Sequence, residues 1–162
     1  MSSRPTLVVM TGIQASGKTT FCRKHLQEYT RINLDELHTR NKEKEAFEAA
    51  LAEGADIVID NTNPTASDRA RYIPKAKDAG YRIIGVFMQS RVKECIERNQ
   101  ERTGKAKVPS GAIAATSNKL ELPDYCEGFD ELYFVSIKDG SFAVSEWLIL
   151  DNNDFDKAGN NK

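Results

Sequence analysis

The sequence predicts a three-layer α/β domain, with a mostly parallel central sheet, helices on both faces and a short basic lid. Three observations predict it. Short apolar, β-branched runs at 6–10, 56–60, 81–88 and 131–137 alternate with segments of helical composition. A glycine-containing turn joins the first run to the first helix. The 162 residues, 40% hydrophobic and 29% charged, suit one globular domain with a sizeable core. Such alternation implies right-handed βαβ crossovers, and in sheets built this way ligands gather beyond the carboxyl ends of the strands.

The elements follow in order. Thr6-Leu7-Val8-Val9-Met10 reads as a buried strand that stops before Gly12, and Lys18 to about Glu28 as the first helix. Arg31-Ile32-Asn33-Leu34 is a weak second strand. Residues 41–53 are rich in Ala, Glu and Lys and are stopped by Gly54 as a C′ residue. Asp56 to Asp60 is a buried strand. Asn63 as cap and Pro64 at the first helical position open a helix that ends near Gly80. Tyr81–Met88 is a strand and Arg91–Arg102 a helix. Gly104-Lys105-Ala106-Lys107 is a mobile connector, and Pro109 opens a helix to about Leu120. Glu131–Ile137 is a strand, and Phe142–Leu150 a last strand. The single domain therefore spans residues 1–150, and the polar stretch 151–162 is expected to be a disordered tail.

Net charge is only −1, which excludes a global basic field. Its distribution is uneven: residues 64–109 hold eleven Lys/Arg against five Asp/Glu, and residues 110–162 hold four against ten. A basic middle third suits an anionic substrate held locally, and equally suits a solvated helix surface. Three scattered cysteines (Cys22, Cys95, Cys126) share no metal-ligand spacing and read as reduced thiols. With no apolar run long enough to span a bilayer and no room for a signal peptide before the first strand, the expectation is a cytoplasmic protein without membrane contact.

Gly12-Ile13-Gln14-Ala15-Ser16-Gly17-Lys18-Thr19 satisfies G-x-x-x-x-G-K-[ST] in full, between a strand and a helix. The glycines let successive N–H groups, through Ala15 and Ser16, turn toward phosphate oxygens, and the following helix adds its positive end. Lys18 reaches the β- and γ-phosphates, and the Thr19 hydroxyl ligates Mg2+. Gln14, Thr20 and Arg98 complete the candidate nucleotide contacts, so ATP with Mg2+ is the expected cofactor pair. A GTPase reading fails: Asn118-Lys119-Leu120-Glu121 ends in Glu, lies in a helix and has no D-x-x-G upstream.

Asp35 follows the second strand and suits a general base for an attacking hydroxyl; it equally suits a helix N-cap. Asp60 ends the third strand, where it can order metal-bound water, shape an acceptor pocket or cap a turn. Asn61 and Asn63 suit helix entry and, with His38 and Arg71, are the remaining candidate substrate contacts. Arg98 and Arg102 lie four apart on one expected helix, hence on one face, beside the basic connector. Like charges at that spacing repel unless an anion lies between them, which suggests a lid closing over a phosphoryl group.

The P-loop, Asn33-Leu34-Asp35, Asp60-Asn61-Thr62-Asn63-Pro64, and Arg98-Asn99 followed by Arg102 occur in an order that resembles polynucleotide 5′-hydroxyl kinases. The likeness runs from about Thr6 to Ile137 and is most specific in the stretch from Asp60 to Tyr72. It implies a P-loop NTPase fold, with Asp35 as general base, Lys18 and Thr19 as phosphate and metal groups, and Arg102 as the lid arginine. Leu34 and His38 stand where members of the family carry Arg, which thins the expected grip on a strand. The resemblance thus implies ATP-dependent phosphorylation of the 5′-hydroxyl of DNA or RNA. The alternatives are a kinase of a small-molecule hydroxyl (sugar, nucleoside or antibiotic) and an ATP-binding switch without an acceptor.

Overall fold

The computed structural model describes residues 4–104 and 107–146. Six strands, β1 (Thr6–Thr11), β2 (Thr30–Ile32), β3 (Ile57–Ile59), β4 (Arg82–Met88), β5 (Glu131–Lys138) and β6 (Ser141–Glu146), form one sheet in the order β2-β3-β1-β4-β5-β6. The first five are parallel, and β6 returns antiparallel along β5. The helices are α1 (Lys18–His25), α2 (Leu34–Leu37), α3 (Arg40–Glu53), α4 (Ala66–Arg69), α5 (Ile73–Asp78), α6 (Val92–Gln100) and α7 (Ser110–Lys119). Order and direction agree with the expected three-layer α/β fold.

Alternation along β1 assigns the two faces, because successive side chains of a strand point oppositely. Leu7 and Val9 join Phe47 and Ala50 of α3 and Ile73 and Ala76 of α5 in one cluster. Val8 and Met10 join Phe21 and Cys22 of α1 in another. Every residue of β1 is buried, as a strand covered on both sides requires. Phe47, 2% exposed, meets the Tyr72 ring edge-on at 5.3 Å. Burial of a side chain that size is worth about 1.5–3 kcal/mol.

Several boundaries differ from expectation, each for a local reason. The second strand stops at Ile32, and Leu34 opens α2 because the Asn33 side chain caps it by accepting from Glu36 N. The Asn63-Pro64 cap is not used. Asn63 takes a left-handed φ of 44°, which Asn tolerates, and Thr65 caps α4 instead, in a reciprocal capping box with Asp68. The expected long helix to Gly80 is consequently two short ones. The first helix ends at His25, and α6 ends at Gln100, so Arg102 lies past the helix and shares no helical face with Arg98. Residues 105–106 of the connector, 147–150 of the expected last strand, and the tail at 151–162 lie outside the described residues. Cys22 and Cys95 are buried free thiols and Cys126 is exposed, matching the expectation of unpaired cysteines.

Candidate functional site

Strand order brings the carboxyl ends of β2, β3 and β1 side by side, so the residues that follow each strand meet at one sheet edge. After β1, the chain turns through Ala15 (φ 63°) and Gly17 (φ 99°) into α1. A Cβ on Gly12 would lie 2.7 Å from Ser16 Oγ and 3.0 Å from Met88 Cβ, so the loop closes only around glycine there. The loop is braced from outside: Gly12 N donates to Thr62 O (3.0 Å), Ile13 N to Ser90 Oγ (3.1 Å) and Gln14 Nε2 to Thr116 Oγ1 on α7 (3.0 Å).

Lys18, 9% exposed, folds its Nζ back to the Ile13 carbonyl at 2.9 Å. Burial pulls its pKa down from 10.5 to about 8, a shift that the nearby Asp60 charge partly offsets. The ammonium is therefore charged at neutral pH yet poorly solvated, and a phosphate oxygen offers it more than a carbonyl does. Arg98 sends Nε to Ala15 O at 2.7 Å, so its guanidinium sits on the phosphate loop. Arg102 is half-buried, and its charge is among the influences that depress Lys18.

Asp60, immediately after β3 and 1% exposed, accepts a hydrogen bond from Thr19 Oγ1 at 2.9 Å on Oδ2. Its other oxygen, Oδ1, is buried and has no protein partner. A hydroxyl oxygen and an unsatisfied carboxylate oxygen, both hard donors beside a phosphate loop, fit Mg2+ together with its waters. Ser16 Oγ, Thr11 Oγ1 and Gln14 Oε1 are likewise buried and unpartnered. Buried polar atoms without a protein partner in such a loop fit a polar ligand or water held there.

Asp35 is exposed on α2, in its first turn. The N-cap alternative is settled in favour of Asn33. That residue also sends Nδ2 to Asp60 O at 2.6 Å, while Asn61 Oδ1 accepts from Leu34 N at 2.8 Å. The α2 helix, with Asp35 in its first turn, is thus bolted to the end of β3 through two asparagines. Asn61 is held in turn by Glu43 Oε2 (2.7 Å) and by the Tyr72 hydroxyl (3.3 Å). Burial first, then the Glu43 carboxylate, pushes the Tyr72 phenol up to about 12, so it remains a donor.

The other candidates are placed as follows. Thr20 is exposed on α1, and His38 is exposed at the end of α2 with φ 71°. Asn63 is 3% exposed and spends its amide on Met10 O at 2.8 Å, bracing β1 rather than facing an open site. Arg71 is exposed, 3.5 Å from Asp68, and lines a groove of about 500 Å³ with Arg40, Lys44, Lys75, Phe47 and Tyr72.

Sequence reasoning missed four side chains. Arg31 bridges Asp60 and Glu36, a pairing that depends on strand order. Glu43 is one charge among several in the Ala-, Glu- and Lys-rich stretch 41–53. Arg69 is fully buried, forked onto Glu127 at 2.7 and 3.0 Å, with Nη1 on Asn63 O at 2.9 Å. Asn99, 1% exposed, grips both peptide groups of Val108 and so joins the two ends of the basic connector.

Among known proteins, the family model described as "AAA domain" matches residues 39–123. The bifunctional polynucleotide phosphatase/kinase of Schizosaccharomyces pombe is 30% identical over 154 residues, covering 90% of this chain. The chain spans 38% of that relative's length. In fold the chain is similar to Kti12 of Chaetomium thermophilum, solved in complex with ADP-AlF3 (TM-score 0.62, 22% identity, 82% of this chain and 90% of that one). It is also similar to a gluconokinase of Sinorhizobium meliloti (TM-score 0.56, 20% identity, 83% and 84%). No helix among the described residues is long and apolar enough to cross a membrane. With its glycine-lysine loop, its 2-3-1-4-5 parallel order and a family match over more than half its length, this chain belongs to the AAA domain family.

Proposed function

We propose that this chain is an ATP- and Mg2+-dependent kinase that phosphorylates the 5′-hydroxyl end of a DNA or RNA strand. The observation that carries the acceptor class is the groove beside the asparagine-bolted helix. Four cations (Arg40, Lys44, Arg71, Lys75) line this groove, with the Glu43 carboxylate paired to Arg40 and with Pro74 and the nearly fully buried Phe47 and Tyr72. Cations so spaced suit the phosphates of a strand, and the apolar lining between them suits a sugar. The groove adjoins Asn61 through the Tyr72 hydroxyl, and Asn61 in turn accepts from Leu34 N of α2, which supports an acceptor approaching Asp35 from that side.

In this reading Lys18 leaves the Ile13 carbonyl for the β- and γ-phosphate oxygens. Thr19 Oγ1, with Asp60 acting through water, would hold Mg2+, which when bound would neutralise phosphate charge. Asp35 accepts the proton of the acceptor hydroxyl as that oxygen bonds to the γ-phosphorus and the bond to the bridging oxygen of the departing ADP breaks. Arg98, already on the loop, contacts nucleotide, and Arg102 stabilises the charge of the moving phosphoryl group. His38, Asn61 and Arg71 line the approach of the acceptor, with Asn61 and the buried Asn63 acting by holding backbone. The three unpaired thiols suit the reducing cytoplasm.

A small-molecule acceptor is the second reading, favoured by Leu34 and His38 at positions where the resemblance expects arginine. The experiment is transfer of labelled γ-phosphate from ATP to short 5′-hydroxyl DNA and RNA oligonucleotides. Label that appears on an oligonucleotide and vanishes in Asp35→Ala and Arg102→Ala supports the first reading and gives the preferred sugar. Its absence from both, with ATP still bound, moves the acceptor to small molecules. Binding of ATP without transfer to any hydroxyl would leave a switch.

A further inference from the structure

Arg31 projects from the edge strand β2, and its guanidinium touches three groups of the site. Nε donates to Asp60 Oδ2 at 2.8 Å, Nη1 to Glu36 Oε1 at 2.6 Å, and Nη2 to Thr19 Oγ1 at 3.4 Å. The side chain is 22% exposed, Asp60 is 1% exposed and Glu36 is 62% exposed. Burial works against the Arg31 charge, but the hydrogen bonds to Asp60 and Glu36 outweigh it and raise its pKa.

A carboxylate as buried as Asp60 is costly to leave without an opposing charge. Arg31 supplies that charge directly, on Oδ2. It also reaches toward a lone pair of the Thr19 oxygen, the atom the preceding reading gives to Mg2+. A fixed cation at a metal's own ligand repels the incoming dication, and one of its donors stands where a ligand bond must form. The third donor runs to Glu36, the neighbour of Asp35, so the same guanidinium ties the metal ligands to the base-bearing helix.

We propose that Arg31 is a positioning residue that holds Asp60 with its own charge, competes with Mg2+ for the Thr19–Asp60 pair, and anchors the Asp35 helix through Glu36. The inference rests on the Thr19–Asp60 metal site and extends it. Metal affinity is then set below what the bare pair would have, and occupancy of the site is linked to the placement of the base.

The test is calorimetric titration of Mg2+ into protein saturated with ADP, with kinetics read separately. Arg31→Gln, whose amide still donates to Asp60 without charge, is expected to tighten Mg2+ about three- to tenfold while lowering kcat. Glu36→Gln leaves Mg2+ affinity within about twofold of the parent and lowers kcat severalfold at unchanged acceptor KM. Arg31→Lys, which keeps a charge at Asp60 but lacks the fork, is read in parallel and also protects the test should Arg31→Gln fold poorly. It is expected to keep Mg2+ affinity near the parent and lose kcat as Glu36→Gln does. Unchanged or weaker Mg2+ binding in Arg31→Gln, or tightening in Glu36→Gln equal to that in Arg31→Gln, overturns the inference alone. If Asp60→Asn binds Mg2+ as well as the parent does, the metal site itself is wrong and this inference falls with it.

Discussion

Asn61 Oδ1 accepts the amide of Leu34 at 2.8 Å, so the residue after Asp60 fixes the residue before Asp35. Replacing Asn61 with Ala removes that acceptor and also leaves a lone pair of the buried Glu43 carboxylate without its donor. An orphaned polar group of this kind costs about 1–3 kcal/mol. We expect Asn61→Ala to bind ATP as the parent does and to lose roughly tenfold or more in kcat. Nucleotide binding and single-turnover transfer, measured on the same preparation, check it. Equal losses in both would place Asn61 at the nucleotide instead.

Lys18 should make nucleotide binding pH-dependent. Its folded pKa of about 8 lies below the ordinary 10.5, so between those values the unfolded chain binds more protons. Stability from this group therefore rises with pH across that window. ATP affinity runs the opposite way. Phosphate favours the charged ammonium, so binding takes up a proton above pH 8, and affinity should fall by up to about tenfold per pH unit there. Titrations between pH 7 and pH 9.5 read the slope. Lys18→Met should bind weakly at every pH, without the slope.

Arg69 and Glu127 stand or fall together. Their fork is 0% and 11% exposed, and Arg69 also holds the Asn63 carbonyl. Glu127→Ala strands a buried guanidinium and should cost about 3–5 kcal/mol in urea unfolding. Replacing both by apolar residues of similar volume should cost less than that single change. A double variant worse than Glu127→Ala would mean that the bond to Asn63 carries the stability.

Asn99 clasps Val108 through N–H and C=O alike, at 2.5 and 2.9 Å. Asn99→Ala should destabilise by about 1–3 kcal/mol and lower kcat, because the connector between these residues carries Arg102. Limited proteolysis reads the effect independently: cleavage within 100–107 should quicken before any other site.

The phosphate loop and Asp60 were legible because each is fixed by chemistry local to one strand end. Asp35 stood out as the residue after a strand, Arg98 and Arg102 by their spacing, and the resemblance implied roles for Asp35 and Arg102. What stayed hidden depends on which strands are neighbours. Arg31 meets Asp60 only because β2 lies beside β3, and strand–helix alternation does not state sheet order. Glu43 escaped notice because it is one of several charges in an Ala-, Glu- and Lys-rich stretch, yet the Tyr72 hydroxyl and the Asn61 amide turn toward it. The T-x-x-D box at Thr65 and Asp68 was present in the sequence, but Asn63-Pro64 offered a competing start two residues earlier. The left-handed turn at Asn63 decided between them.

Ile13 and Ala15 of the phosphate loop share one small apolar cluster with Cys95 of α6 and Ile113 of α7, apart from the two large cores on the sheet faces. That cluster makes the loop and the helical pair a single cooperative unit of local opening. The amides of α7 should then exchange with deuterium in step with those of the loop. A bound nucleotide would slow exchange along α7 by the same factor as in the loop.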